Sequence, residues 1–98
     1  MEIVFSPEAV EEIRSLPEDV RQKIMSGIEE LKNNPTNHAD AKLVQIDGKQ
    51  VYRLKISEGR GEDLDHRAVF DIEDGKIRVY SVFHRDKGYD KDEIGERI

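Results

Sequence analysis

Asp74 and Gly75 stand between two stretches that alternate in polarity, Arg67 to Glu73 and Lys76 to Phe83. An Asp-Gly pair with such flanks closes a two-residue type I′ turn, because both residues tolerate the positive φ that the turn requires. An antiparallel hairpin therefore occupies the C-terminal half, and the turn sets its register. With Glu73 opposite Lys76, Ile72 faces Ile77, Phe70 faces Val79 and Ala68 faces Ser81 on one side, which is expected to pack on helices. The other side pairs Asp71 with Arg78, Val69 with Tyr80 and Arg67 with Val82, then reaches His84. That side reads as polar, cationic and aromatic.

The period before the hairpin is different. Met1 to Phe5 is a short apolar strand, and Ser6-Pro7-Glu8 is a helix start in which Ser caps, Pro takes the first position and Glu meets the positive dipole end. Val10, Ile13 and Leu16 form its apolar side. Pro17-Glu18-Asp19 repeats the start signal, and Val20, Ile24, Ile28 and Leu31 make one buried stripe with Glu29, Glu30 and Lys32 in water. Asn33-Asn34-Pro35 ends this second helix. From Lys42 the period becomes two, and in Val51 to Ile56 the residues Tyr52, Leu54 and Ile56 oppose Val51, Arg53 and Lys55. Ser57 to His66 carries two glycines and little apolar content and reads as a mobile loop. The tail from Tyr89 to Ile98 has the spacing for a short C-terminal helix through Ile94 and Ile98. The fold class is thus α+β, with an N-terminal strand, a helical hairpin and a mainly antiparallel sheet.

Charged residues make up 39% of the 98, a level at which disorder has to be considered. Twenty-six residues are Ile, Val, Leu or Phe, which is enough for one core and one domain spanning 1–98. The chain has no cysteine, so disulfides, thiolate zinc sites and cysteine nucleophiles are excluded. Apolar runs are too short for a membrane span or a secretory core, and a cytoplasmic location is expected. The net charge of −6 argues against general coating of nucleic acid. Its distribution is uneven. Residues before Lys49 carry five basic and ten acidic groups, and Lys49 onward carry eleven and twelve. The cations concentrate in the second half, which leaves room there for a local basic site.

Arg53 and Lys55 project together from one strand face, and parity puts Arg67 and His84 on the solvent side of the next hairpin. Guanidinium forks and an ammonium suit phosphate recognition. His84-Arg85-Asp86-Lys87-Gly88-Tyr89 adds an imidazole, a guanidinium and a phenol after the last strand. His38 and His66 are expected in surface loops. Asp63, Asp65 and His66 are oxygen and nitrogen donors, but the paired His spacing of common zinc motifs is missing, and neither a metal nor a cofactor is expected.

Taken in order, these pieces resemble the RelE/ParE toxin superfamily of toxin-antitoxin systems. They are the two N-terminal helices, Lys42-Leu43, Asp47-Gly48, Tyr52-Arg53-Leu54-Lys55-Ile56, Arg67-Ala68-Val69-Phe70, and a last strand followed by His84, Arg85 and Tyr89. The resemblance implies a metal-independent endoribonuclease that cuts messenger RNA on the ribosome and so inhibits translation. In that reaction the 2′-hydroxyl attacks the adjacent phosphate and expels the 5′-oxygen, which needs a base, an acid and charge stabilisation. Carried over, Arg53, Lys55, Arg67, Arg85 and Tyr89 are the site residues, with His84 as an alternative acid or base. The implied partners are a cognate antitoxin, in an assembly such as a heterotetramer, and the ribosome with its mRNA. Two features depart from the family pattern, the long acidic loop 57–66 and the acidic net charge. They keep open a ParE-like inhibitor of DNA gyrase that cuts nothing, and an inactive homologue that only binds antitoxin.

Overall fold

A computed structural model describes residues 2–33, 41–57, 65–84 and 91–98. Its elements are β1 (Glu2–Phe5), α1 (Pro7–Arg14), α2 (Glu18–Glu29) with a 3-10 turn at Glu30–Lys32, β2 (Ala41–Ile46), β3 (Lys49–Ser57), β4 (Asp65–Glu73), β5 (Lys76–His84) and α3 (Lys91–Arg97). The strands form one sheet in the order β1-β5-β4-β3-β2. β1 runs parallel to β5, and every other pair is antiparallel. The chain thus begins at one edge, crosses the sheet on α1 and α2, and returns strand by strand through two Asp-Gly turns. Asp47, Gly48, Asp74 and Gly75 all have positive φ, as two-residue hairpin turns of this type demand.

The helical hairpin and the sheet enclose the larger core. Ala9 and Ile13 of α1 and Ile24, Ile28 and Leu31 from α2 and its 3-10 turn pack on Leu54, Ile56, Ala68, Phe70, Ile77, Val79 and Val82. Tyr52 stacks on Phe70 on this face, with ring centroids 5.3 Å apart. Ser6 caps α1 as its sequence predicts: its Oγ accepts from Ala9 N at 3.1 Å and donates to the Tyr80 carbonyl at 3.0 Å.

The β4-β5 register departs from the expected one halfway along. Ile72 opposite Ile77, Asp71 opposite Arg78 and Phe70 opposite Val79 stand, but Val69 then pairs with Ser81, Ala68 with Val82, Arg67 with Phe83 and His66 with His84. Tyr80 is an extra residue, a β-bulge, and after it every β5 side chain changes face. Four expectations are thereby corrected. Ala68 does not oppose Ser81. Val69 does not oppose Tyr80, Arg67 does not oppose Val82, and His84 lies on the helix side of the sheet rather than beside Arg67.

His66 also differs from its expected loop position. It is a strand residue, 7% exposed, with its ring edge-on to His84 at 5.1 Å between centroids. Ser57 and Asp65 likewise belong to strands, and the rest of the expected loop lies outside the described residues.

The face away from α1 and α2 is not uniformly polar either. Ile46, Val51 and Val69 are fully buried there beneath Ile94 of α3, with Val44, Phe83 and Ile98 at the margin. Gly95 allows this docking, because a Cβ at that position would stand 2.6 Å from Asp47 Cβ. Lys49 Nζ donates to the Gly95 carbonyl at 3.1 Å, where a cation favours a helix C-terminus.

Past Val79, β1 no longer covers the edge of β5, and side chains take over that task. Arg97 donates to the Tyr80 carbonyl at 3.2 Å, while Glu12 accepts from Val82 N at 3.1 Å, from Ser81 Oγ and from Arg97 at 3.3 Å. Glu12→Ala removes the acceptor shared by a backbone amide and a largely buried guanidinium. A loss of about 1–3 kcal/mol is expected, with faster amide exchange at Val82. Unchanged exchange there would mean that the edge is held by other means.

Candidate functional site

The outer face divides into two fields. Its lower half is the apolar patch under α3. Its upper half is cationic because of strand register: Lys42 opposes Arg53 across β2 and β3, and Lys55 opposes Arg67 across β3 and β4. Directly opposed residues have Cβ atoms about 4.5–5.5 Å apart, and Arg53 and Lys55 are two residues apart, about 7 Å along the strand. Four cations therefore occupy two neighbouring rungs of the ladder. Lys42 and Lys55 are exposed, and Arg53 and Arg67 are half-buried. Phe83 completes the second rung, opposite Arg67.

Of the residues expected at the site, the structure brings together Arg53, Lys55 and Arg67. It sets His84 on the other face with His66. Arg85 and Tyr89 lie outside the described residues, as do His38 and Asp63. Lys42 enters through pairing with Arg53, which single-strand parity does not reveal. Phe83 enters through the bulge, for which a sequence signal exists. The buried positions Ile77, Val79 and Val82 are spaced by two and then by three, and an uninterrupted strand does not allow that step.

A polar network fixes β5 beside the bulge. Arg78 grips Asp71 with Nε at 2.7 Å and Nη2 at 2.6 Å, Tyr80 OH donates to Asp71 Oδ2 at 2.7 Å, and Glu73 pairs with Arg78. The Arg78 guanidinium lies over the Tyr80 ring, 5.7 Å from its centroid. The hydrogen bond to Asp71 raises the Arg78 pKa, so its charge is permanent. Burial, then the bond to Asp71, raises the Tyr80 phenol well above its ordinary value.

A phenol whose folded pKa exceeds the unfolded value near about 10 contributes stability that is complete below that pH and is lost as pH rises toward the folded pKa. The midpoint of thermal unfolding is therefore expected to fall more steeply above about pH 10 in wild type than in Tyr80→Phe. Parallel curves would remove Tyr80 as the cause.

No curated protein matches the chain. Among solved structures, a double mutant of Escherichia coli RelE toxin in the free state superposes with a TM-score of 0.69 at 22% identity, covering 98% of this chain and 90% of that one. The RelBE2 toxin-antitoxin complex from Mycobacterium tuberculosis gives 0.66 at 17% identity, over 86% and 96% of the two chains. The archaeal RelE-RelB complex from Pyrococcus horikoshii gives 0.64 at 16%, over 89% and 97%. These likenesses show a shared fold. Among the described residues, no helix is long and apolar enough to cross a membrane. The family model described as the ParE toxin of the type II toxin-antitoxin system parDE matches residues 3–89, from β1 through the whole sheet, and the chain thus belongs to the ParE toxin family within the RelE/ParE superfamily.

Proposed function

We propose that this toxin is a RelE-type endoribonuclease that cuts messenger RNA on the ribosome and is held inert by a cognate antitoxin. The observation that carries the reading is the opposed pair Lys55 and Arg67, with Arg53 and Lys42 on the adjoining rung. Cations on a rigid sheet hold a phosphate in a fixed orientation and meet the charge that grows on its oxygens during in-line attack. In this scheme the 2′-oxygen bonds to phosphorus, the 5′-oxygen departs, and one proton is taken from the first and one given to the second. Arg67 and Arg85 clamp the phosphate, Arg53 and Lys55 neutralise the developing charge, and Tyr89 assists proton transfer. His84, paired with His66, is assigned to packing. The toxin-antitoxin complexes of similar fold support an antitoxin partner here.

The match to the ParE family model favours a second reading, inhibition of DNA gyrase without cleavage. Two assays separate them. Message in a programmed ribosomal complex is expected to be cut by wild type, and gyrase supercoiling to proceed undisturbed at micromolar toxin. Intact message at saturating toxin would overturn the ribonuclease, and blocked supercoiling would establish its rival.

A further inference from the structure

We propose that Lys42, with Arg53, holds the RNA phosphate next to the one that is cut, so that the cationic face takes two consecutive phosphates. The proposal deepens the ribonuclease reading and rests on it for the class of ligand. Lys42 on β2 directly opposes Arg53 on β3, and like charges so placed destabilise a sheet. The chain carries 22 Asp and Glu residues, yet among the described residues neither of these two cations has an ion-pair or hydrogen-bond partner. Arg53 is half-buried, and its neighbour on the other side is Val69, which is fully buried. Two adjacent cations that the protein leaves uncompensated are compensated by a bound anion.

Arg67, which clamps the scissile phosphate in that reading, stands one rung further along the ladder on the same face. Successive rungs on one face are about 7 Å apart, on the scale of the step between neighbouring phosphates of a nucleic-acid strand. A backbone laid along β3 therefore brings its next phosphate to Lys42 and Arg53, in the way that proteins tracking single strands use a charged groove. The field ends there. The following pair is Val44 and Val51, and Val51 lies beneath Ile94 of α3. On this side the site is thus two phosphates long. Arg53 adjoins both positions, so Lys42 is the residue that serves the second phosphate alone.

The test reads the salt dependence of binding, which counts phosphate contacts. The probe is a short single-stranded oligoribonucleotide with 2′-O-methyl sugars, which has no attacking hydroxyl and stays intact. Lys42→Met is expected to weaken binding about 3- to 10-fold and to lower the slope of log affinity against log salt by about 0.7, the share of one contact with a single strand. Lys42→Arg keeps the charge and is expected to retain both. Lys32→Met removes an exposed cation that pairs with Glu29 on the helix side, and it should change neither. Because opposed cations repel, Lys42→Met should unfold no earlier than wild type. An unchanged slope in Lys42→Met, an earlier unfolding, or no oligomer binding by wild type would each overturn the phosphate site. So would an oligoglutamate peptide that loses affinity for Lys42→Met while the oligomer does not, since the rung would then belong to an acidic protein partner. A lowered slope without message cleavage on the ribosome would remove the ribonuclease and leave the site standing. Cleavage with an unchanged slope would do the reverse.

Discussion

Arg67→Ala is expected to slow message cleavage on programmed ribosomes by about 100-fold or more, the usual cost of removing one preorganised transition-state donor. Arg67 sits on β4 in the interior of the sheet, directly opposite Lys55 of β3 and one rung from Arg53. Its stem lies on a sheet that keeps its shape without it, so the unfolding midpoint should move by only a few degrees. Arg67→Lys keeps the charge and loses the planar fork, and an intermediate loss of about 10-fold is expected. Single-turnover cleavage with saturating ribosomal complex measures all three. A rate for Arg67→Ala within a few-fold of wild type would take Arg67 out of the chemistry.

Gly95→Ala is expected to loosen α3 and lower stability by about 1–3 kcal/mol, the range for forced overpacking. Alanine is the better helix former by up to about 1 kcal/mol, so helix propensity alone predicts the opposite sign. Contact decides against it. The added Cβ would meet Asp47 Cβ at 2.6 Å, and that atom is fixed to a turn backbone with φ of 53°. The helix and the turn must separate, and Ile94 is then drawn off Val51 and Val69. Asp47→Gly provides the control. It removes the obstructing atom at a position whose left-handed backbone suits glycine, so it should restore most of the loss in the double variant. Denaturant titration of the four proteins gives the coupling directly. Additive effects would show that the contact is not what limits the docking of α3.

Periodicity and turn chemistry made most of the architecture readable. The Asp-Gly pairs specify hairpins, Ser6 specifies a cap, and the stripe from Val20 to Leu31 specifies which side of α2 is buried. These are local rules, satisfied within a few residues. The errors arose where a local rule meets a distant element. Val51 and Val69 alternate with Arg53 and Arg67, so their side of the sheet looked wet. It is α3, far along the chain, that brings Ile94 onto that half. The glycine-rich stretch before His66 blurs the start of β4 and makes His66 look like loop, whereas pairing with His84 and Ile56 holds it in the strand. Strand parity was enough to group Arg53, Lys55 and Arg67, because no bulge interrupts β3 or their stretch of β4. It failed for His84, the residue separated from the turn by the bulge.

The extra residue at Tyr80 also has a genetic consequence. Because Val79 pairs with Phe70 and Ser81 with Val69, Tyr80 is the residue of this stretch that takes no place in the ladder. Loss of its codon would restore strict alternation and leave every later pair unchanged, with Phe83 still opposite Arg67 and His84 still opposite His66. Keeping the residue while drawing it into the ladder would instead exchange the two faces, putting the imidazole among the cations and the phenyl ring beneath α1 and α2. Relatives of this chain should accordingly be compared by counting from the bulge, since identical letters after it can face opposite sides of the sheet.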